Sequence, residues 1–202
     1  MPKLKICGLF REQDIDFANE AKPDFIGFVF AEKSKRFVNA KQAETLRKKL
    51  SGEIIPVGVF VNAKIEDIVA LHSNGVIDMV QLHGNESDEY IEKLKQRCDA
   101  QIIRAVTFEG QPHRATPTVA AARFCDYILL DSSTPGSGQT FNWAPLLNLD
   151  LSKNVFLAGG ISLQNIGDAV KLNPFAIDVS SGAETDGVKD REKILQLKKF
   201  LY

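Results

Sequence analysis

The side chains of this sequence best placed to do chemistry stand at or just after the point where an apolar run stops. The run "LKIC" ends on Cys7, followed at once by Gly8 and then by the charged segment "FREQD". A free cysteine packs as a small hydrophobe more often than it reacts. A helix starting soon after it, however, favours the thiolate. "DYILLD" ends on Asp131, where a carboxylate either braces the next loop or, with a raised pKa, serves as general acid or base. Arg36, in "KSKRF", carries a planar fork that can grip a carboxylate or phosphate bidentately, although arginines beside lysines are common on surfaces. His83, in "QLHGNE", is the one histidine at the end of such a run, either lining a site or making a structural hydrogen bond. The three histidines are too dispersed to suggest a metal cluster, and no carboxylate spacing implies one.

These residues need elements to position them. Eight apolar runs recur, at 4–7, 25–30, 54–61, 78–82, 101–106, 126–131, 154–159 and 175–180. They are nearly continuous rather than alternating, which is how strands buried on both faces of a parallel sheet read. Charged segments with helical spacing lie between them. Ala43, Leu46 and Leu50 share one face, and so do Ile65, Ile68, Val69 and Leu71; Ser87 is a candidate N-cap before two acidic residues. The last segment, "DREKILQLKKFLY", reads as a helix able to close a ring. Eight βα units in 202 residues allow roughly 25 residues each, enough for a compact α/β chain forming one (β/α)8 TIM barrel over residues 1–202. An open doubly wound sheet is the alternative, but its Gly-rich first turn is missing.

In such a barrel the strands' C-terminal ends carry the site. The last two runs lead into "LAGGIS", with Gly159 and Gly160 before a helix expected near Ser162, and "VSSGAE", with Ser180, Ser181 and Gly182 before another. Glycine admits close backbone approach, and amides at a helix start attract anions, so the adjacent loops read as a phosphate cradle. Ordinary turns and caps use the same residues. The loop "SSTPGSGQTF", with two glycines and a proline, reads as able to fold over a ligand.

Composition excludes several classes. With 25 Lys+Arg against 26 Asp+Glu, the chain has no nucleic-acid footprint and no polybasic membrane contact. No apolar stretch approaches membrane-spanning length, and no apolar segment follows the N-terminal lysines as in a signal peptide. Three cysteines without a CxxC pair fit a reducing cytoplasm. Cys98 and Cys125, at the opposite end of the barrel from Cys7, read as structural, and a monomer is the default expectation.

Taken together, "KICGL", "DFIGFVFAEKSKRFV", "VGVFVN", "VQLHGNE", "LLDSSTPGSGQTFNW", "LAGGIS" and "DVSSGAETDGVKD" closely resemble the phosphoribosylanthranilate isomerase family of tryptophan biosynthesis, from residue 3 to about residue 193. The resemblance implies a cofactor-free, metal-free Amadori rearrangement of a small phosphosugar substrate. It implies Cys7 as general base, Asp131 as general acid and Arg36 as partner of the anthranilate carboxylate. Asp178 would meet the anthranilate amine, Gln81 and His83 would line the pocket, and Gly159, Gly160, Ser180, Ser181 and Gly182 would cradle the phosphate. Two departures stand out: "TPGSG" is shorter than the family's double-glycine loop, and Phe141-Asn142-Trp143 replaces a common FDW. The rivals are the histidine-pathway isomerase, against which Cys7 and the short chain speak, and a phosphate-binding barrel that has lost catalysis.

Overall fold

The computed structural model describes residues 1–107, 124–131, 143, 146, 151–152 and 154–201. The loop at 132–141, read above as able to cover a ligand, and Asn142 lie outside the described residues, as do the helices expected after the fifth and sixth strands.

Eight strands form a closed parallel barrel in sequence order: β1 Lys3–Cys7, β2 Phe25–Val29, β3 Ile55–Phe60, β4 Met79–Leu82, β5 Gln101–Thr107, β6 Tyr127–Asp131, β7 Val155–Leu157 and β8 Ala176–Val179. Each lies within two residues of its expected run, and β1 pairing with β8 excludes the open sheet. The near-continuous apolarity has a direct cause. One side of each strand faces the helices and the other fills the barrel. Phe25, Val57, Met79, Ile103, Leu129 and Phe156 pack the lower interior, and a small cluster of Cys7, Val29 and Val59 sits above them.

Six helices occur among the described residues: α1 Glu12–Ala21, α2 Ala40–Lys49, α3 Ile65–Ser73, α4 Asp88–Lys95, α5 Ile166–Lys171 and α6 Arg191–Leu201. Ser87 caps α4 as its sequence suggests, its Oγ accepting from the Tyr90 amide at 3.2 Å. Asn39 caps α2 likewise, through Gln42 at 2.9 Å. The terminal helix α6 buries Ile194, Leu197 and Leu201 and packs beside α1, closing the ring.

Two expectations at the last loops need correction. No helix begins near Ser162; α5 starts four residues later and is only six residues long, because Asn165 folds the approach back on itself. Its Oδ1 accepts from the Ser162 amide at 2.8 Å and its Nδ2 donates to the Gly160 carbonyl at 3.0 Å. After β8 the chain does not enter a helix directly. A two-stranded antiparallel hairpin intervenes, β9 Glu184–Thr185 and β10 Val188–Lys189.

Candidate active site

Strand side chains alternate, so Lys5 and Cys7 of β1 both point into the barrel, and the same inward register carries Gln81, Asp131 and Asp178. Above them a cavity of about 480 Å³ opens at the strands' C-terminal ends. Cys7, Arg36, Gln81, His83, Asp131 and Asp178 line it, together with Gly159, Gly160, Ser180 and Ser181. Gly182, the remaining expected residue, stands behind this wall. It forms a bridge with Ser162, and a Cβ there would fall 2.0 Å from the Ile161 carbonyl oxygen. Glycine is what lets the two loops meet. A larger concavity, about 760 Å³, lies outside the barrel between α2 and α3. Its only charged side chains, Lys41, Glu44 and Asp67, are exposed, so the chemistry belongs to the barrel mouth.

Cys7 is 8 % exposed, and its sulfur occupies space that only a glycine at position 27 leaves: a Cβ on Gly27 would stand 2.6 Å from Sγ. Burial pushes the thiol pKa up, against Lys5 and Lys189, while Asp178 adds to the rise. The expectation that α1 favours the thiolate therefore does not hold. The amides of Phe10 and Arg11, at the approach to α1, are turned onto the Asp14 carboxylate, each at 3.0 Å. The cations acting on Cys7 are Lys5 and Lys189 instead. Lys5 is wholly buried and donates to Asp178 Oδ2 at 2.9 Å, its register partner on β8. Burial alone would lower the Lys5 pKa, but Asp178 and Cys7 override it and raise it. The other oxygen of Asp178, Oδ1, is buried without a partner among the described residues.

Asp131 closes β6, and its Oδ2 lies 3.3 Å from His83 Nε2. The far nitrogen of that ring, Nδ1, is 3.0 Å from Gln81 Nε2. A ring proton on Nε2 would face Asp131 while Nδ1 accepts from the Gln81 amide. His83 is thus joined to Asp131 rather than merely lining the wall. Arg36 reaches the rim over Gly8, whose φ of +83° and missing side chain make room; a Cβ there would be 2.3 Å from Arg36 Cδ. Its Nε and Nη2 donate to Glu184 Oε1 and Oε2 at 2.6 and 2.7 Å. Ser180 Oγ donates to the Cys7 carbonyl at 3.1 Å, tying the β8 loop to the end of β1.

Sequence reasoning missed Lys5, Gly27, Glu184 and Lys189. A lysine two residues before Cys7 in a buried run was a usable signal for the first, because period-two alternation sends both side chains inward. Glu184 and Lys189 meet Arg36 and Ser180 only through the fold, and no local pattern announces them. Among the described residues no group of three or more His, Cys, Asp or Glu side chains could hold a metal ion. No described helix is long and apolar enough to cross a membrane.

The family model for N-(5'-phosphoribosyl)anthranilate (PRA) isomerase matches residues 4–199. A curated relative from Endomicrobium trichonymphae, an N-(5'-phosphoribosyl)anthranilate isomerase, is 45 % identical, covering 100 % of this chain and 98 % of its own. The crystal structure of phosphoribosyl anthranilate isomerase from Thermotoga maritima superposes with a TM-score of 0.88 at 34 % identity, covering 99 % of this chain and 98 % of that one. A structure of such an isomerase in complex with reduced 1-(o-carboxyphenylamino)-1-deoxyribulose 5-phosphate gives 0.84 at 33 % identity, over 98 % and 97 %.

Proposed function

The chain belongs to the N-(5'-phosphoribosyl)anthranilate isomerase family, and from that premise we propose that Cys7 and Asp131 are the base and acid of its reaction. It is an isomerase of tryptophan biosynthesis, converting N-(5'-phosphoribosyl)anthranilate, an aminoaldose, into 1-(2-carboxyphenylamino)-1-deoxyribulose 5-phosphate, an aminoketose. The reaction moves protons and leaves the overall oxidation state unchanged, so an acid and a base suffice and no cofactor is required. Asp131 gives its proton to the furanose ring oxygen, the C1–O bond breaks, and the nitrogen lone pair forms the Schiff base. Cys7 then takes the C2 proton, the electron pair moves towards nitrogen, and the resulting enolamine tautomerises to the ketone. Once Asp131 is a carboxylate, the Nε2–H of His83 stabilises it.

The observation that carries this reading is the placement of Cys7 and Asp131 at the ends of β1 and β6, facing one cavity from different walls. Arg36 supplies the cation for the anthranilate carboxylate. Asp178 Oδ1, a buried acceptor without a partner among the described residues, suits the substrate's N–H. Gly159 and Gly160, both with positive φ, join Ser180 and Ser181 around the phosphate, and Gly182 behind them lets the two loops meet. The same reading takes residues 1–202 as one domain acting as a monomer in the reducing cytoplasm, with its three cysteines free. The test is to add the purified chain to phosphoribosylanthranilate and follow the loss of its fluorescence. Rapid loss is expected, whereas an inert chain would point to a phosphate-binding barrel without catalysis.

A further inference from the structure

The hairpin β9–β10 is no part of the barrel, yet it supplies two of the buried charges of the molecule, Glu184 and Lys189. Glu184 binds Arg36 side-on, so its two oxygens take the Nε–Nη2 edge of the guanidinium and fix its plane. The Nη1–Nη2 edge remains, with Nη1 unpaired among the described residues, and Arg36 lines the cavity. An arginine–glutamate pair alone is neutral and would draw an incoming carboxylate only weakly. Lys189 changes that balance. Its ammonium donates to Glu184 Oε1 and, at 3.0 Å, to the Ser180 carbonyl. Two cations against one anion, with Glu184 and Lys189 buried and Arg36 half-buried at the rim, leave the group with one positive charge, and a single carboxylate at Arg36 brings it to neutrality.

We propose that Arg36, Glu184 and Lys189 form a receptor for one carboxylate, in which Lys189 supplies the charge that Glu184 would otherwise cancel. Lys189 is therefore a specificity-determining residue that never touches the substrate, acting through Glu184 on Arg36. The hairpin is the element that delivers it. It is held in turn by the Lys193 ammonium on the Glu184 carbonyl at 2.6 Å and by Thr185 Oγ1 on Asp190 Oδ2 at 2.7 Å. The inference rests on the reading that Arg36 meets the anthranilate carboxylate.

The test compares two ligands by calorimetric titration of the whole chain: the reduced carboxyphenylamino-deoxyribulose phosphate and its counterpart lacking the ring carboxylate. Wild type should prefer the carboxylated ligand. Lys189→Met should shrink that preference by roughly tenfold, the scale of losing one nearby charge, read as the ratio of the two affinities so that any loss common to both ligands cancels. Glu184→Gln should not shrink it, and Glu184→Gln combined with Lys189→Met should restore most of it, because the cancelling charge is gone as well. Lys189→Arg should behave as wild type. A merely structural hairpin would weaken both ligands together in every variant, which would overturn the proposal, as would an unchanged preference in Lys189→Met. If Arg36→Met also leaves the preference unchanged, the carboxylate role of Arg36 fails instead. Lys189→Gln, which keeps a donor but loses the charge, carries the same expectation should Lys189→Met not fold.

Discussion

In the proposed mechanism Cys7 and Asp131 do opposite things with a proton, and burial works against the base. The buried thiol has its pKa pushed up, and a base with a raised pKa holds its proton more tightly in the free chain. The thiolate fraction therefore rises only as pH passes above the ordinary thiol value of about 8.5. Alkylation of the Cys7 peptide by iodoacetamide, read by mass spectrometry to separate it from Cys98 and Cys125, should be slow at neutral pH and accelerate above that value. A rate already at its plateau at pH 7 would contradict the assignment of burial as the dominant influence. For catalysis, Cys7→Ala and Asp131→Asn should each lower turnover by at least about two orders of magnitude, the usual scale for losing a general base or acid. Circular dichroism must show both variants folded. Arg36→Met should act mainly on KM, because the group it meets does not react; an unchanged KM would remove Arg36 from substrate binding.

At the scale of elements, the loops after β7 and β8 work as one unit because Gly182 lets them touch. In Gly182→Ala the new Cβ would fall 2.0 Å from the Ile161 carbonyl oxygen, and backbone on both sides leaves nothing flexible to yield. The loops must part, and displacements on the ångström scale have cost about a hundredfold in other sites. A rise in KM of roughly tenfold or more for the phosphorylated substrate is expected by steady-state kinetics, with the barrel's circular dichroism unchanged. These loops also mark where sequence reading stops. Gly159, Gly160 and the serines were legible because a strand's end is followed immediately by its loop. The late start of α5 was not, since Asn165 reaches back to Gly160 and Ser162 and mimics the expected turn without helix. Arg36 was legible as a cation but not in its pairing, because Glu184 lies 148 residues away and comes from a hairpin two residues to a strand. Short elements of that kind lack the periodicity that revealed the eight strands.

At the scale of the whole molecule, the ring holds only if its first and last units join. β1 pairs with β8 from Lys3↔Ala176 to Ile6↔Val179, and outside them α6 packs beside α1, with Arg191 on Glu20 across the seam. That ion pair is exposed and contributes little. The apolar face of α6 does more, because Ile194, Leu197 and Leu201 are fully buried in the shell between helices and barrel. All three lie away from the cavity of Cys7 and Asp131, whose lining comes from strand ends and their loops. Stability and chemistry should therefore separate in space. Leu197→Ala should cost about 2–5 kcal/mol in urea unfolding, the range for emptying a buried leucine site. Its kcat and KM, measured well below the unfolding transition, should stay within about twofold of wild type. Cys7→Ala should show the opposite pattern, a large loss of turnover with a far smaller change in unfolding free energy, since a thiol-to-methyl change removes one buried atom. If Leu197→Ala lowered kcat in proportion to its loss of stability, the seam would have to be counted as part of the machinery that holds β1 and β8, and with them Cys7 and Asp178, in register.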